Sequence, residues 1–362
     1  MNISSCTAHI TDSRQAKNQK YSLESLVLII FSSVISGYDS PNSMVEFAQL
    51  KKTWLQKYVE LHTIPCAETL RFFIACLEPS ELIKGFQTFV HGATDGDFIS
   101  IDGKTMRGTR NSIFEAIHVV SAWSSKHAIT LAALESIDKS NEIKTIPKLL
   151  DIIDIKGATM TTDAMGCQRV IARKIIDKKG DYALQVKGNQ GTLNAEIQAF
   201  YHKNRREEFN AVEHEYFEEV TKGHGRIEQR IYHHVALTDW VKSTLKWAEA
   251  KTVIRVERKR ITKEKESSEI SWYLSSLDVD AKHAGHAVRR HWEVENQLHW
   301  RLDVIFREDE CQMNSGAMNM AVIKRFCMNL LTTNDNTKRG MKHRVMAAAI
   351  DDAYREKVLL SV

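Results

Sequence analysis

Three acidic residues stand at positions where carboxylates could do chemistry together. Asp102 ends a short run rich in strand-forming residues, 98–102, and Asp163 directly follows a second run, 157–162, that is typical of a buried β-strand. Glu295 lies in a region of helical periodicity. Carboxylate oxygens are ligands that Mg²⁺ prefers, and two such ions can activate a water or hydroxyl in phosphodiester transfer. The three acids are therefore candidate metal ligands and catalytic residues, provided that the fold brings them together.

The third acid is singled out by a helical wheel. At about 100° per residue, Glu295 falls in the middle of an apolar arc, whereas Glu293 faces the other side. The arc contains Ala284, Val288, Trp292, Leu298, His299 and Leu302. A carboxylate in a stripe that packs on a sheet loses its water and stays charged only when a cation or donor meets it. We therefore expect Glu295 to be buried, with a metal ion as its natural partner.

Each acid also has an ordinary structural explanation. Asp102-Gly103 could form a turn, Asp163 could cap the helix that follows it, and Glu295 could pair with a buried arginine or histidine. Taken singly, these explanations are about as good as a functional role. Taken together, the three positions fit a ribonuclease-H-like fold, in which adjacent first and fourth strands and a later helix bring three carboxylates together.

The rest of the chain supplies the elements for such a fold. Residues 22–92 have helical patterns, and from Gly96 the order strand-strand-strand-helix-strand-helix-strand predicts a mixed α/β sheet with covering helices. The five strands are predicted at 98–102, 116–123, 128–134, 157–162 and 182–186, and the two helices at 142–153 and 165–178. We divide the chain into a helical N-terminal domain (1–95), a catalytic domain (96–332) with a β-rich insertion (212–277), and a C-terminal helical tail (333–362).

Several longer motifs are similar to those of one protein family. They occur in the same order as the conserved blocks of bacterial insertion-sequence DDE transposases of the H-repeat-associated (Rhs-linked) type. The similar stretches are 98–108, 162–168, 182–190, 224–228, 291–304 and 306–309. The resemblance extends over residues 22–332, and Asp102, Asp163 and Glu295 match the catalytic triad of that family.

The resemblance implies an enzyme that cuts and joins DNA at the ends of a mobile element. It implies two Mg²⁺ ions in each active site, with Mn²⁺ as a substitute, and these ions would be held by the three acids. The partners would be double-stranded DNA, both element ends and target, and a second copy of the chain on that DNA. Such an enzyme would act in the bacterial cytoplasm, at the nucleoid when bound to DNA.

One motif departs from the broader superfamily. The C-terminal signature Y-x₂-R-x₃-E-x₆-K would place Tyr, Arg and Lys where this chain has Val288, His291 and Leu302. Neighbouring basic side chains could make the phosphate contacts instead. We count as candidate DNA contacts Lys104, Lys187, Asn189, Gln190, His224, Arg226, Arg258, Lys259, Arg260, Arg290, His291, His299 and Arg301.

These contacts have alternatives of their own. Residues 187–190 could be an ordinary strand-to-helix turn, and 224–228 a solvated β ribbon. Residues 251–265 carry seven basic and two acidic side chains, and we expect the basic ones to lie on one face, which would suit contact with a DNA backbone; the alternative is a solvated charged face. Residues 69–77 resemble the second helix of a helix-turn-helix, with Glu68, Thr69 and Arg71 near base edges, or they pack a helical bundle.

Composition limits the remaining choices. The 362 residues are 43% hydrophobic and 27% charged with a net charge of +4, values typical of a globular protein rather than a disordered or fibrous one. The six cysteines form no C-x-x-C pair, which indicates reduced thiols, and neither a signal peptide nor a membrane span is expected. The open alternatives to a transposase are a decayed or domesticated transposase that binds DNA without catalysis, and a metal nuclease acting on junctions or RNA.

Overall fold

The computed structural model describes residues 8–15, 19–87, 94–113, 115–223 and 225–360. The chain forms two compact units: one contains residues 1–91, 103–141 and 295–362, and the other contains 92–102 and 142–294. Within the described ranges, no helix combines the length and the apolar character needed to cross a membrane. The five described cysteines are free thiols, as the sequence indicates, and Cys6 lies outside the described residues.

Helices flank and cover the sheet strands. In chain order the helices are α1 Leu23–Ile35, α2 Pro41–Leu50, α3 Lys52–Leu55, α4 Ala67–Cys76, α5 Pro79–Gln87, α6 Glu142–Ile152, α7 Arg169–Asp177, α8 Gly191–Arg206, α9 Asp239–Leu245, α10 Ala281–Glu293, α11 Trp300–Val304, α12 Ala317–Thr333, α13 Met341–Ile350 and α14 Asp352–Leu360. A π-helical segment, Val294–His299, connects α10 to α11. The strands are β1 Phe98–Thr105, β2 His118–Ser124, β3 Ile129–Ser136, β4 Thr159–Thr162, β5 Asp181–Val186, β6 His214–Gly223, β7 Arg226–Ala236, β8 Thr252–Thr262 and β9 Glu266–Ser275.

The strands form one mixed, mostly antiparallel sheet, which confirms the predicted α/β class. Its order is β3-β2-β1-β4-β5-β9-β8-β7-β6. The first, fourth and fifth strands are parallel neighbours, and β2 and β3 form an antiparallel hairpin. The four strands within 212–277 pair with one another and join the sheet where β9 pairs with β5. The predicted insertion therefore lengthens the sheet and does not form a separate layer.

Helix α10 covers part of the second unit's sheet. Ala284 and Val288 pack into a buried cluster with Tyr232 and Ile254. At Gly285 the helix comes so near the sheet that an added Cβ would lie 3.0 Å from the Tyr232 ring. A small residue at this position lets the helix approach the sheet closely, which fixes the element that leads into Glu295.

Helix α12 forms the centre of the first unit, and residues 317–331 are all buried. Phe326 meets Phe31 of α1 edge to face at 5.4 Å. Asn319 donates to the carbonyl oxygens of Ile74 and Leu77 at 2.8 and 2.7 Å. A helix buried on every side needs partners all around it, and here the N-terminal helices provide several of them.

Several polar groups inside this core are hydrogen-bonded to one another. Arg325 and Glu308 are both fully buried, with Nη1 and Oε1 2.5 Å apart. Arg325 also donates from Nε to the Ser121 hydroxyl at 3.1 Å. The Asn329 amide satisfies the backbone N–H and C=O of Thr130, at 3.0 and 2.8 Å. Buried polar groups are costly unless they are hydrogen-bonded, so these contacts define how α12 must sit in its unit.

Candidate active site

The register of the two central strands places Asp102 and Asp163 at the same edge of the sheet. Parallel pairing puts Phe98 opposite Thr159 and Ile101 opposite Thr162, and each acid is the next residue. Neighbouring strands lie about 4.8 Å apart, so the two acids occupy adjacent positions. Because β1 continues to Thr105, Asp102 lies within a strand, and the alternative of an Asp102-Gly103 turn is wrong.

Asp163 begins a tight turn after β4. Its Oδ1 accepts hydrogen bonds from the backbone N–H groups of Met165 and Gly166 at 2.9 and 3.2 Å. A Cβ on Gly166 would lie 2.5 Å from the Cβ of Thr162, so this turn has no room for a side chain there. The predicted helix start at Met165 is wrong, because α7 begins only at Arg169. Asp163 therefore caps a turn through one oxygen, while among the described residues Oδ2 makes no hydrogen bond.

The loop after β5 braces this turn. The Asn189 amide donates to the Ala164 carbonyl oxygen at 2.6 Å, and the Gln190 amide donates to that of Cys167 at 2.9 Å. Lys187, the first residue of the loop, is exposed. The two amides thus hold the turn that carries Asp163, which supports the structural alternative for them, and Lys187 is the candidate with a side chain open to solvent.

The C-terminal end of α10 contacts the strands just before the two acids. The His291 Nδ1 lies 3.1 Å from the Thr161 hydroxyl, which donates to the Ser100 hydroxyl at 3.2 Å. The guanidinium of Arg290 lies 4.9 Å from the centre of the Phe98 ring. Burial lowers the pKa of His291 to about 4, with Asp163 opposing and Lys187 reinforcing the shift. His291 is therefore neutral at pH 7, and its contact with DNA stays a prediction.

The low pKa of His291 makes stability depend on pH. Between about pH 6.5 and 4 the unfolded chain binds a proton that the folded chain does not, so the free energy of unfolding falls as pH falls. We expect the His291→Gln variant to lose part of this dependence when urea midpoints are compared at pH 7 and pH 5. A residual slope should persist, because burial also lowers the pKa of His233, to about 3. Equal slopes for variant and wild type would contradict this assignment.

Glu295 does not occupy the buried position that the wheel predicts. It is exposed and, among the described residues, has no ion-pair partner; Trp292, also expected inside the arc, is 51% exposed. The wheel is correct for Ala284, Val288, Leu298 and Leu302, which are all buried. Glu295 is the second residue of the π-helical segment and Trp292 precedes it, so the change of helical period does not by itself account for their exposure. The proposed pairing of Glu295 with a buried arginine or histidine is wrong as well.

Lys104 is buried, which argues against the predicted contact with DNA. Its Nζ lies 2.6 Å from Asp303 Oδ1 and 2.7 Å from Asp309 Oδ1.

Two further basic candidates for DNA contact, His299 and Arg301, are half-buried. Burial, and then the neighbouring Arg344, lower the pKa of Arg301.

Basic side chains of strands β7 and β8 form ion pairs with Glu228. This buried carboxylate accepts from Arg226 at 2.8 Å, from Arg258 at 3.1 Å and from Arg230. Burial opposes the charge of Glu228, but the arginines outweigh it and lower its pKa. Sequence reasoning missed Arg230, although its spacing of two from Glu228 in a strand places both on one face.

The expectation that the basic residues of β8 share one face is wrong. Side chains alternate along a strand, so Lys259 faces away from Arg258 and Arg260. Lys259 lies 3.7 Å from Glu257 on its own face, whereas Arg260 is exposed. His224 lies outside the described residues.

The N-terminal recognition candidates lie on α4. Leu70, Phe73 and Ile74 are buried, as the helical-bundle alternative requires. Arg71 pairs with Glu68, so the two side chains neutralise each other. The helix-turn-helix role of Glu68, Thr69 and Arg71 stays a prediction.

Asp102 and Asp163 could hold a divalent metal ion, because their carboxylate oxygens are hard ligands of the kind that Mg²⁺ prefers. These two acids lie in the second unit. Glu295 belongs to the first unit, as the first residue of its segment 295–362. Within the described part of the chain, no group of three or more His, Cys, Asp or Glu side chains is arranged to hold a metal ion. The donor chemistry of the Asp102–Asp163 pair fits such an ion, with further ligands needed.

The amino-acid sequence matches two protein-family models. Residues 93–330 match the family model described as the Transposase DDE domain, and residues 5–90 match the DDE_Tnp_1-associated model. The Putative protein YbfL of Escherichia coli (strain K12) is 37% identical over 97% of this chain and 95% of its own length. The H repeat-associated putative transposase YhhI of the same strain is 36% identical over the same shares.

A more remote similarity is to the piggyBac transposase in its synaptic complex with hairpin DNA. That solved structure aligns with 100% of this chain and 78% of its own, with a TM-score of 0.45 and 11% identity, values too low to add to the argument. The family model and the close relatives confirm the resemblance to H-repeat-associated transposases. Since the model matches more than half of the chain and these relatives match nearly all of it, the chain belongs to the Transposase DDE domain family.

Proposed function

We propose that this protein is a DNA transposase that cuts and joins phosphodiester bonds at insertion-sequence ends. Asp102, Asp163 and Glu295 would be its catalytic carboxylates, within a ribonuclease-H-like domain. The observation that carries the proposal is the β1–β4 register, which puts Asp102 and Asp163 side by side at one sheet edge. Adjacent first and fourth strands are the feature of that fold on which the carboxylate arrangement depends, and family membership supports the same assignment.

The three acids would hold two Mg²⁺ ions, or Mn²⁺ as a substitute. When bound there, the ions would supply Lewis-acid activation of a water or a 3′-hydroxyl and stabilisation of the leaving oxygen. The protein's own contribution is to orient the ligands. The turn at 163–166 holds Asp163 through Oδ1, the Asn189 and Gln190 amides brace that turn, and exposure keeps Glu295 accessible.

Double-stranded DNA, as element ends and as target, is the proposed partner. Lys187 lies directly after β5, and Arg260 is exposed on β8, so both can meet phosphates without breaking an ion pair inside the fold. Since two ends must be joined to one target, we propose a homodimer on the DNA of the bacterial nucleoid.

A cleavage assay tests the proposed function. The purified chain is incubated with a plasmid that carries the inverted repeats flanking its own reading frame, with Mg²⁺, Mn²⁺ or a chelator. We expect metal-dependent nicks at the repeat boundaries and little cutting of a shuffled sequence. Selective binding without cutting would instead identify a transposase-derived DNA-binding protein, and preferential cutting of RNA–DNA hybrids a different nuclease.

The β8 side chains should contribute to DNA affinity in different ways. We expect Arg260→Gln to weaken binding to any DNA sequence and to reduce the slope of log Kd against log salt by about one unit, the value for one lost phosphate contact. Arg258→Gln should change that slope less and lower stability more, because Arg258 is bonded to the buried Glu228. Fluorescence anisotropy from 50 to 300 mM salt measures both slopes; an unchanged slope for Arg260→Gln would remove β8 from the DNA path.

A further inference from the structure

We propose that Lys104 is a positioning residue of the active site, which holds the strand carrying Asp102 to the helical segment that follows Glu295. This inference rests on the proposed function, because it assigns a role relative to the two proposed catalytic acids. It replaces the phosphate contact that the sequence predicts for Lys104.

The contacts of Lys104 come from three carboxylates of one short segment. Its Nζ lies 2.6 Å from Asp303, 2.7 Å from Asp309 and 3.7 Å from Glu308. The lysine is 8% exposed and Glu308 is fully buried. An ammonium enclosed in this way has no open side toward a DNA phosphate.

The opposite charges of the three carboxylates hold the ammonium group of Lys104 in place. A buried lysine with carboxylate partners is held at a defined place, because moving it away from Asp303 and Asp309 would leave its own ammonium group without a close counter-charge.

The backbone beyond Lys104 is packed against the same segment. The backbone N–H of Arg107 donates to Asp309 Oδ1 at 3.4 Å. A Cβ on Gly108 would lie 2.4 Å from the Asp309 carbonyl oxygen, so the two chain segments touch directly at this glycine. The end of β1 is thus fixed by an ion-pair cluster and by close backbone packing.

Both fixed segments lead directly to a proposed catalytic acid. Asp102 is two residues before Lys104 in β1, so their side chains share a face of the strand. Asp303 lies in α11, eight residues after Glu295, and the chain between them is helical throughout. A misplacement of about 1 Å in a catalytic group can cost about a hundredfold in rate, so loosening this connection should slow the reaction.

The test separates positioning from DNA binding by measuring both in the same variants. Rates of end cleavage are measured at saturating DNA with Mg²⁺, and Kd for the same DNA is measured with Ca²⁺. For Lys104→Met we expect a rate about a hundredfold lower with Kd within about twofold of wild type. Lys104→Arg should recover most of the rate, since it keeps the charge. Lys187→Met, which removes an exposed lysine, should instead raise Kd and reduce its salt dependence.

A second variant is needed in case the Lys104→Met protein does not fold. Asp303→Asn removes one of the three carboxylate partners, and it should also lower the rate without weakening DNA binding. The double variant should be no slower than Lys104→Met, because both changes break one connection. An unchanged rate in either single variant, or a rise in Kd that matches Lys187→Met, overturns the proposal.

Mn²⁺ binding distinguishes failure of this proposal from failure of the proposed function. If wild type binds Mn²⁺ and Lys104→Met binds it at least severalfold more weakly, positioning is supported even without a cleavage assay. Equal Mn²⁺ affinity in the two proteins overturns positioning alone. If wild type neither binds Mn²⁺ nor cuts DNA, the proposed function fails, and the role of Lys104 fails with it.

Discussion

Replacing Asp163 with Asn should reduce end cleavage at least about a thousandfold, which corresponds to about 4 kcal/mol of transition-state stabilisation. The substitution removes a negative charge that would bind metal. It keeps an oxygen at Oδ1 that can accept from the N–H groups of Met165 and Gly166, as Asp163 does. The turn should therefore survive, and DNA affinity and melting temperature should change little.

The same experiment on the other acids tests the triad as a whole. Asp102→Asn and Glu295→Gln should each lose activity to a similar extent with intact DNA binding. Glu293→Gln is the matched control, because Glu293 is on the same helical stretch and is half-buried. If Glu293→Gln were the inactive variant and Glu295→Gln the active one, the assignment of the third acid would be wrong.

Glu308→Gln should lower the free energy of unfolding by about 3–5 kcal/mol, the cost of breaking a buried ion pair. Glu308 and Arg325 are both fully buried with Oε1 and Nη1 2.5 Å apart, so the variant would leave the guanidinium in the core without its counter-charge. The urea midpoint followed by circular dichroism measures the effect.

The matched control for this prediction is Glu310→Gln. Glu310 is two residues away and exposed, and surface charges contribute about 0–1 kcal/mol, so its midpoint should stay near that of wild type. Similar midpoints for Glu308→Gln and Glu310→Gln would show that the buried pair adds no net stability.

Much of the sheet could be predicted from sequence because local patterns determine it. Short runs rich in β-branched and apolar residues mark strands such as β1 and β4, and the order of strands and helices between β1 and β5 agrees with the prediction. The Asp102–Asp163 pair was predictable for the same reason, since both acids end such runs. The pairing of β5 with β9 was not, because register between distant strands has no local signal.

The errors at the site have specific physical causes. A wheel shows which residues share a face of a helix but not how much of that face other elements cover, and Trp292 and Glu295 are exposed within the arc. The sequence predicts a DNA contact for Lys104 because its carboxylate partners come from residues 303–309, about two hundred positions away. Side-chain burial that depends on such distant segments cannot be predicted from periodicity.

The central position of α12 also has a consequence for how the chain folds during synthesis. Asn319 of this helix bonds carbonyl oxygens of Ile74 and Leu77, and Phe326 packs on Phe31. Between about 240 and about 295 residues separate these partners, so at about 5–20 residues per second a ribosome needs roughly 12–60 s to produce α12 after the first helices. During that interval the apolar faces of α1 and α4 lack their partner. We therefore expect nascent chains that stop before residue 317 to bind chaperones and to be sensitive to protease.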